Sequence, residues 1–426
     1  MRPDGASHTR HAASLNRLGG EPARRRMALF TLALGGFAIG VTEFATMGVL
    51  PNIAEDLLPG FASSPAMGIA QAGTLITLYA VGVVVGAPVI TALAARAPQT
   101  TLAFWLLGAF TAGSLASAVA PTFETLAIAR FIAGLPHATF FGAAALLAAR
   151  LMGPGNQGKG IAIAMSGLPI ANVLGVPFAT WIGQTLGWRW AYVLVSILFA
   201  ATLLLGLRFL PRHRGDSTLS PLRSLASFKN IRIWIMVALG AIGFGGFFAV
   251  YSYIAEVVTR VTSLPESSVP LVLSAIGIGM TIGTFFGGWM ADRNGPRAIL
   301  LSLAALIVSL SLYVTTAATP VGLIISVFLV GFWFSALLPA VQSRFIRMAR
   351  EAELMGSAIT HAAFNVANAL GAWLGGLVIA AGFGYLAPGW AGILLAVIGA
   401  LLAILSLSIT KRDRHRSIDT TGIRLP

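Results

Sequence analysis

The 426-residue chain contains no cysteine. Disulfide scaffolds, thiolate nucleophiles and cysteine-ligated metals are therefore excluded. Charge is scarce too: Asp, Glu, Lys and Arg make up 10% of residues against 57% apolar, far from soluble domains. No P-loop, no HExxH and no dinucleotide fingerprint followed by strand and helix occurs. Nor is there a nucleophile–base or metal cluster. An enzyme is thus disfavoured, no cofactor or metal is expected, and active transport would have to draw on an ion gradient. Loops too short for a signalling domain disfavour a sensor.

What the chain has in abundance is long apolar runs, with mean hydropathy +0.84. A crossing of hydrocarbon needs roughly 20 residues. Twelve spans can be drawn: Met27–Leu50, Ala70–Ala95, Thr101–Ala120, Thr122–Leu151, Lys159–Ile182, Arg189–Leu210, Ile231–Val258, Ser267–Asp292, Arg297–Ala318, Pro320–Met348, Glu353–Ala381 and Pro388–Thr410. Residues 1–26 are polar and basic without the apolar stretch of a cleavable signal, and read as a disordered tail. Residues 211–230 read as a polar, basic linker between an N-terminal bundle (27–210) and a C-terminal bundle (231–410), with 411–426 a second tail. Trp188, Trp190 and Trp390 fall at expected outer boundaries and Trp234 near an inner one. The fold class is an all-α membrane protein, two six-helix bundles.

The cations fix the expected orientation. Of 28 Lys and Arg, 25 lie in alternate segments that include both tails and the linker; the intervening loops hold only Arg189 and Arg260, and Arg130 lies inside a span. Short loops rich in Lys and Arg stay cytoplasmic, so both termini are expected inside a bacterial inner membrane. The net charge of +14 is spread along loops facing one side, so it reads as an orientation signal and not as a nucleic-acid surface.

Internal repetition supports two equivalent halves. Ala171-Asn172-Val173-Leu174-Gly175 recurs as Ala367-Asn368-Ala369-Leu370-Gly371, and Ala94-Ala95-Arg96 as Ala291-Asp292-Arg293. Parallel six-helix repeats are a transporter architecture with the substrate path at their interface.

Several motifs carry a family resemblance: Thr42-Glu43-Phe44 with Met47-Gly48 and Pro51; Arg130-Phe131 through Gly134-Leu135-Pro136-His137 to Gly142; Asn172 with Gly175-Val176-Pro177; Gly187-Trp188-Arg189; Phe364-Asn365 with Asn368 and Gly371; and the loop from Gly288 to Arg297. From about Met27 to Thr410 the chain resembles the major facilitator superfamily, in its twelve-span drug:proton antiporter group, and is similar to arabinose/sugar-efflux-type permeases. The resemblance implies that Gly288, Asp292, Arg293, Gly295 and Arg297 form a gating loop signature. In the first half that signature has decayed. Ala95 stands where Asp292 stands in the second, and Ala97-Pro98-Gln99 lacks the glycine and basic pair, which puts a latch there in doubt.

Ionisable groups within hydrocarbon usually mark function, and only Glu43 and Arg130 are fully embedded. At 1.5 Å per residue, Glu43 lies about 24 Å along span 1 and Arg130 roughly 12 Å into span 4 from the opposite face. The comparable depth predicts an ion pair that protonation of Glu43 would break; a permanent structural bridge is the competing account. The resemblance favours coupling, since the group commonly carries an acid at this place. His137 suits a substrate contact or proton relay, or equally a neutral ring bonding a carbonyl freed by Pro136; His361 reads as structural. Asn172, Asn365 and Asn368 could bind a ligand or join helices, with Asn365 the favoured ligand contact. Tyr251 and Tyr253 offer rings for stacking on a solute, or simply for packing. Together these predict a monomeric, proton-coupled exporter of a small solute such as a sugar, nucleoside or drug, working by alternating access. The alternative is an uncoupled facilitator or importer of the same fold.

Overall fold

The computed structural model describes residues 22–94, 97–153, 155–211, 231–348 and 353–421. Residues 1–21, Arg96, the linker beyond Pro211 and the last five residues lie outside them. Among the described residues the chain is all-helical, with eleven helical stretches long and apolar enough to cross a membrane. One of these makes two crossings. Val269–Thr316 runs 48 residues, about 72 Å at 1.5 Å per residue against an ~30 Å core. It is divided at Asn294, whose φ of −157° and ψ of 87° leave the helical region. Asn294 caps the second piece, its Oδ1 accepting from Arg297 N at 3.1 Å, with Pro296 just inside the new helix where a missing N–H costs nothing. Twelve crossings result among the described residues, so the described ends at Pro22 and Thr421 lie on one face, called here the terminal face.

Other breaks also follow from local chemistry. Span 4 is two helices, Phe123–Gly134 and His137–Met152, because Pro136 has no N–H to continue the first. Span 5 contains a π-helical turn, Ala171–Gly175, just before Pro177. Span 7 is interrupted near Phe244 and again at Ser252-Tyr253. Two expectations about the ends need correction. Span 1 starts at Pro22, so Pro22–Arg26 are helical and not part of a disordered tail; proline is well placed at a helix start. Span 12 runs on from Ala387 to Thr421, since no Gly or Pro interrupts 411–421.

Rows of glycine set the packing inside each half. In span 2, Gly82 and Gly86 lie against the carbonyls of Phe131 and Leu135 of span 4; in span 8, Gly279 and Gly283 lie against those of Phe328 and Phe332 of span 10. A Cβ at any of these four would overlap a backbone oxygen. Every member of the second set stands 197 residues after its counterpart. With lipid no less apolar than a leucine side chain, such close backbone approach is what holds membrane helices together. Between halves, span 2 packs on span 11 and span 5 on span 8, where Gly277 meets the carbonyl of Asn172. Leu93, Trp105 and Phe285, each at least 77% exposed, belong to the lipid-facing belt.

Candidate functional site

Glu43 lies five residues before the end of span 1, near the face away from the termini, and is 1% exposed. Its Oε1 accepts from Asn368 Nδ2 at 3.1 Å, so the contact joins span 1 of the first half to span 11 of the second. Its Oε2 is buried with no hydrogen-bond partner. Arg130, also 1% exposed, donates from NH1 to Thr42 Oγ1 at 3.2 Å and from NH2 to the Thr42 carbonyl at 3.0 Å. Its guanidinium lies 4.2 Å above the Tyr79 ring and 5.5 Å from that of Tyr192. The expected ion pair is therefore not formed. Successive residues of a helix project about 100° apart, so a guanidinium held on Thr42 stays off the neighbouring carboxylate, yet within its electrostatic reach.

The asparagines present oxygen. Asn172 Nδ2 donates to the Leu168 carbonyl at 3.1 Å and Asn365 Nδ2 to the His361 carbonyl at 3.0 Å. Because only an amide nitrogen can serve a carbonyl, these bonds fix which end of each side chain is free. The Oδ1 atoms of Asn172, Asn365 and Asn368 are all buried without a partner. Asn368, which the sequence reading left as a ligand contact or a helix tie, holds Glu43 across the two halves.

The two tyrosines part company. Tyr251 meets Phe44, the residue after Glu43, edge-on at 5.3 Å and stacks on Phe247 at 5.1 Å. Tyr253 is engaged between helices, away from that cluster. Its hydroxyl donates to the Ala372 carbonyl at 2.5 Å, and its ring sits against Gly73, Gly375 and Gly376, a wedge between spans 2, 7 and 11. Second-half rings gather near Tyr251: Phe247 stacks on Phe334 at 3.8 Å, and Phe248 lies 5.0 Å from Phe364. His137 Nδ1 lies 3.0 Å from the Tyr79 hydroxyl, and its ring faces His361 at 6.4 Å. Tyr79 and Phe334 escaped the sequence reading, and Thr42 entered it only as part of a family motif, with no role of its own. A tyrosine mid-span with no charged neighbour in sequence was the one available signal for Tyr79.

The loop signature lies apart, at the terminal face. Asp292, Arg293 and Arg297 are exposed and Gly295 is buried. Arg293 covers the Trp289 ring at 3.8 Å, and Gly288 has open space where a side chain would go. At the opposite face Asp56 accepts from Arg189 NH1 at 2.5 Å and from Trp188 Nε1 at 3.0 Å. The Arg189 guanidinium, first by hydrogen bond, holds the Asp56 carboxyl below its ordinary range. Trp188 is accordingly buried, not a boundary ring, whereas Trp190, Trp234 and Trp390 are about half exposed or more. Across the seam, Asn52 Nδ2 donates to Glu266 Oε1 at 2.8 Å.

The model of the Major Facilitator Superfamily matches residues 32–263 and again 233–426. Inner membrane transport protein YdhP of Escherichia coli K12 is 34% identical over 93% of this chain and 98% of its own length. A chloramphenicol resistance protein of Streptomyces lividans is 30% identical over 88% of this chain and 95% of its own. In fold, the crystal structure of a D-xylose-proton symporter superposes with a TM-score of 0.73 at 16% identity, covering 88% of this chain and 96% of that one. A multi-pass helical membrane protein with these relatives, and with a glycine-ribbed repeat in each half, is a transporter and not an enzyme: the chain belongs to the major facilitator superfamily.

Proposed function

We propose that this chain is a proton-coupled antiporter of the bacterial inner membrane, exporting a small organic solute by alternating access. The observation that carries the reading is the Glu43–Asn368 bond. A single carboxyl group, one oxygen unpartnered, sits in the seam between the halves beside a fixed guanidinium. As a carboxylate it accepts strongly from Asn368 and attracts Arg130. Protonation cancels the charge, weakens both attractions and loosens the seam where the two halves must part. The partners are thus a proton and a solute, with Glu43 and Arg130 as the coupling pair.

The solute path lies between residues 27–210 and 231–410, joined by the linker 211–230. Tyr251 and the second-half phenylalanines offer ring faces, while Asn172 and Asn365 offer free oxygens to hydroxyl or amine donors. Sugars, nucleosides and drugs meet that description, and the name of the Streptomyces relative points the same way, toward export. Both termini face the cytoplasm, as the cation partition requires, with the Gly288–Arg297 loop gating that side. One chain encloses the path, so the transporter is a monomer. One proton moved inward is worth about 2.3 kcal/mol per 100 mV, roughly a fiftyfold gradient of a neutral solute.

A resistance panel in a transporter-depleted strain identifies the substrate. In proteoliposomes, Glu43→Gln is then expected to lose at least about tenfold in pH-gradient-driven flux while keeping solute counterflow. Full gradient-driven flux in Glu43→Gln would overturn the coupling. If solute entry neither acidifies nor alkalinises vesicles, the chain is an uncoupled facilitator.

A further inference from the structure

A polar column continues from the coupling pair toward the terminal face. The Tyr79 ring lies under Arg130 at 4.2 Å, and its hydroxyl is 3.0 Å from His137 Nδ1. A buried phenol needs an acceptor, and His137 is the partner at hand, so Tyr79 donates and His137 carries its own proton on Nε2. Across the seam His137 faces His361 of span 11, ring centroids 6.4 Å apart. His361 is stacked flat on Phe141 at 4.8 Å with 4° between planes. As packed, the imidazoles are too far apart for a direct bond, and close enough for one water or a small rotation to join them.

We propose that His137 and His361 form a second proton-binding station, one proton shared by the pair, lying in the seam on the terminal-face side of Glu43. The proposal rests on the antiporter reading above and adds to it a site where the proton waits after leaving Glu43. When a proton arrives, one imidazole becomes imidazolium. The other stays neutral, because two charged rings at this separation in buried surroundings repel too strongly. When it leaves for the terminal face, both rings return to neutral. A charged ring is poorly accommodated beside Phe141 in a closed seam, so occupancy favours parting of spans 4 and 11 and entry of water. Tyr79 links the two stations, since it touches Arg130 with its ring and His137 with its hydroxyl. A shift of the guanidinium therefore moves the histidine's partner.

Few other groups compete for this role. Against span 4, span 2 presents Tyr79 alone, span 3 has no titratable group, span 1 presents Glu43 with Arg24, Arg25 and Arg26 at its exposed end, and span 5 has only Lys159 at its exposed end; span 10, packed on span 11, has Arg344, which donates to Ser406. Span 7, packed along span 11, presents Tyr251, Tyr253 and Glu256, and Glu256 is engaged by Arg260.

The cysteine-free chain permits a direct test. Spin labels at Leu93→Cys and Leu405→Cys, exposed sites of spans 2 and 12, report the spacing of the halves at the terminal face in lipid nanodiscs. Between pH 8 and pH 5 the wide population is expected to rise at least threefold. His137→Gln with His361→Gln is expected to abolish that rise, and His361→Gln alone, the milder variant, to reduce it. A flat response in the parent, or an unchanged response in a monodisperse His361→Gln protein, overturns the station. Glu43→Gln is expected to lose gradient-driven flux yet keep the acid response. Flux that fails with the response intact thus separates the coupling reading from the histidine pair.

Discussion

The two halves share a scaffold and differ in what they mount on it. Gly82 and Gly86 against span 4 are matched, 197 residues on, by Gly279 and Gly283 against span 10, each seated on the corresponding carbonyl. At the same offset Tyr79, Arg130 and His137 of the first half become Ile276, Val327 and Phe334 of the second. All six are buried. The first half therefore carries a polar column, and the second carries a ring cluster centred on Phe334 and Phe247. Close backbone packing tolerates no side chain at the glycines, so it constrains both copies alike; the residues facing the seam are free to diverge. At these offset positions the charged and polar groups fall to one half and ring surface to the other, with Glu43–Asn368 and His137–His361 where they meet.

The scaffold claim fails if the two glycine rows respond differently. Gly86→Leu and Gly283→Leu each drive a branched side chain into a carbonyl, an overpacking cost of about 3 kcal/mol or more. Both are expected to lower the melting temperature in detergent by similar amounts, or to abolish monodisperse protein. Should one be tolerated, the halves are not packed alike.

The divergence is sharpened by matched replacements at the offset positions. Arg130→Met deletes two charge-assisted hydrogen bonds and strands the Thr42 hydroxyl, costing on the order of 3 kcal/mol. Val327→Met only changes shape, at less than about 1.5 kcal/mol. Thermal unfolding monitored by intrinsic fluorescence gives the order; equal losses would mean that Arg130 acts only by filling space. A smaller effect belongs to Phe334→Leu. Removing one ring from the stack is expected to weaken solute affinity by roughly 1 kcal/mol, about fivefold, with the pH profile of flux unchanged. A shifted profile would tie the ring cluster itself to proton handling.

Much of the fold was legible because membrane constraints act locally. Span length, Pro136, Asn294 and the 197-residue repeat are written in consecutive residues, whatever packs against them. The extents of spans 1 and 12 were missed, since hydropathy marks hydrocarbon and not the helix that continues beyond it. The seam was harder to read. Glu43 and Arg130 announce themselves by cost, but Asn368 is 325 residues from Glu43, and nothing local says that an asparagine of span 11, repeated in span 5, meets a carboxylate of span 1. The nearness of His361 to His137 was hidden for the same reason, since the two lie in different halves. For Tyr253 the sequence offered stacking or packing alike, because an aromatic residue two positions from Tyr251 gives no sign of facing three glycines.

Toward the face away from the termini the halves differ again in how they use an acid and an arginine. In the second half Glu256 is engaged by Arg260 one turn along the same helix. In the first, Asp56 reaches from the segment after span 1 to Arg189 and Trp188 at the start of span 6, while Arg189 also donates to the Ala120 carbonyl at 3.2 Å. A tie between elements restrains more chain than one along a helix, yet Asp56 and Arg189 keep 46% and 40% of their side-chain surface. Solvent screening then limits the pair to about 0.5 kcal/mol, the smallest effect expected here. Its pH dependence has a definite sign. The folded carboxyl lies below its ordinary value, so the stabilisation is complete above about pH 4 and disappears as pH falls through the folded value. Asp56→Asn should accordingly lower the melting temperature slightly at pH 7 and not at all at the acid end, with high salt narrowing the difference. A loss that persists unchanged in acid would trace the effect to the Trp188 contact instead of to charge.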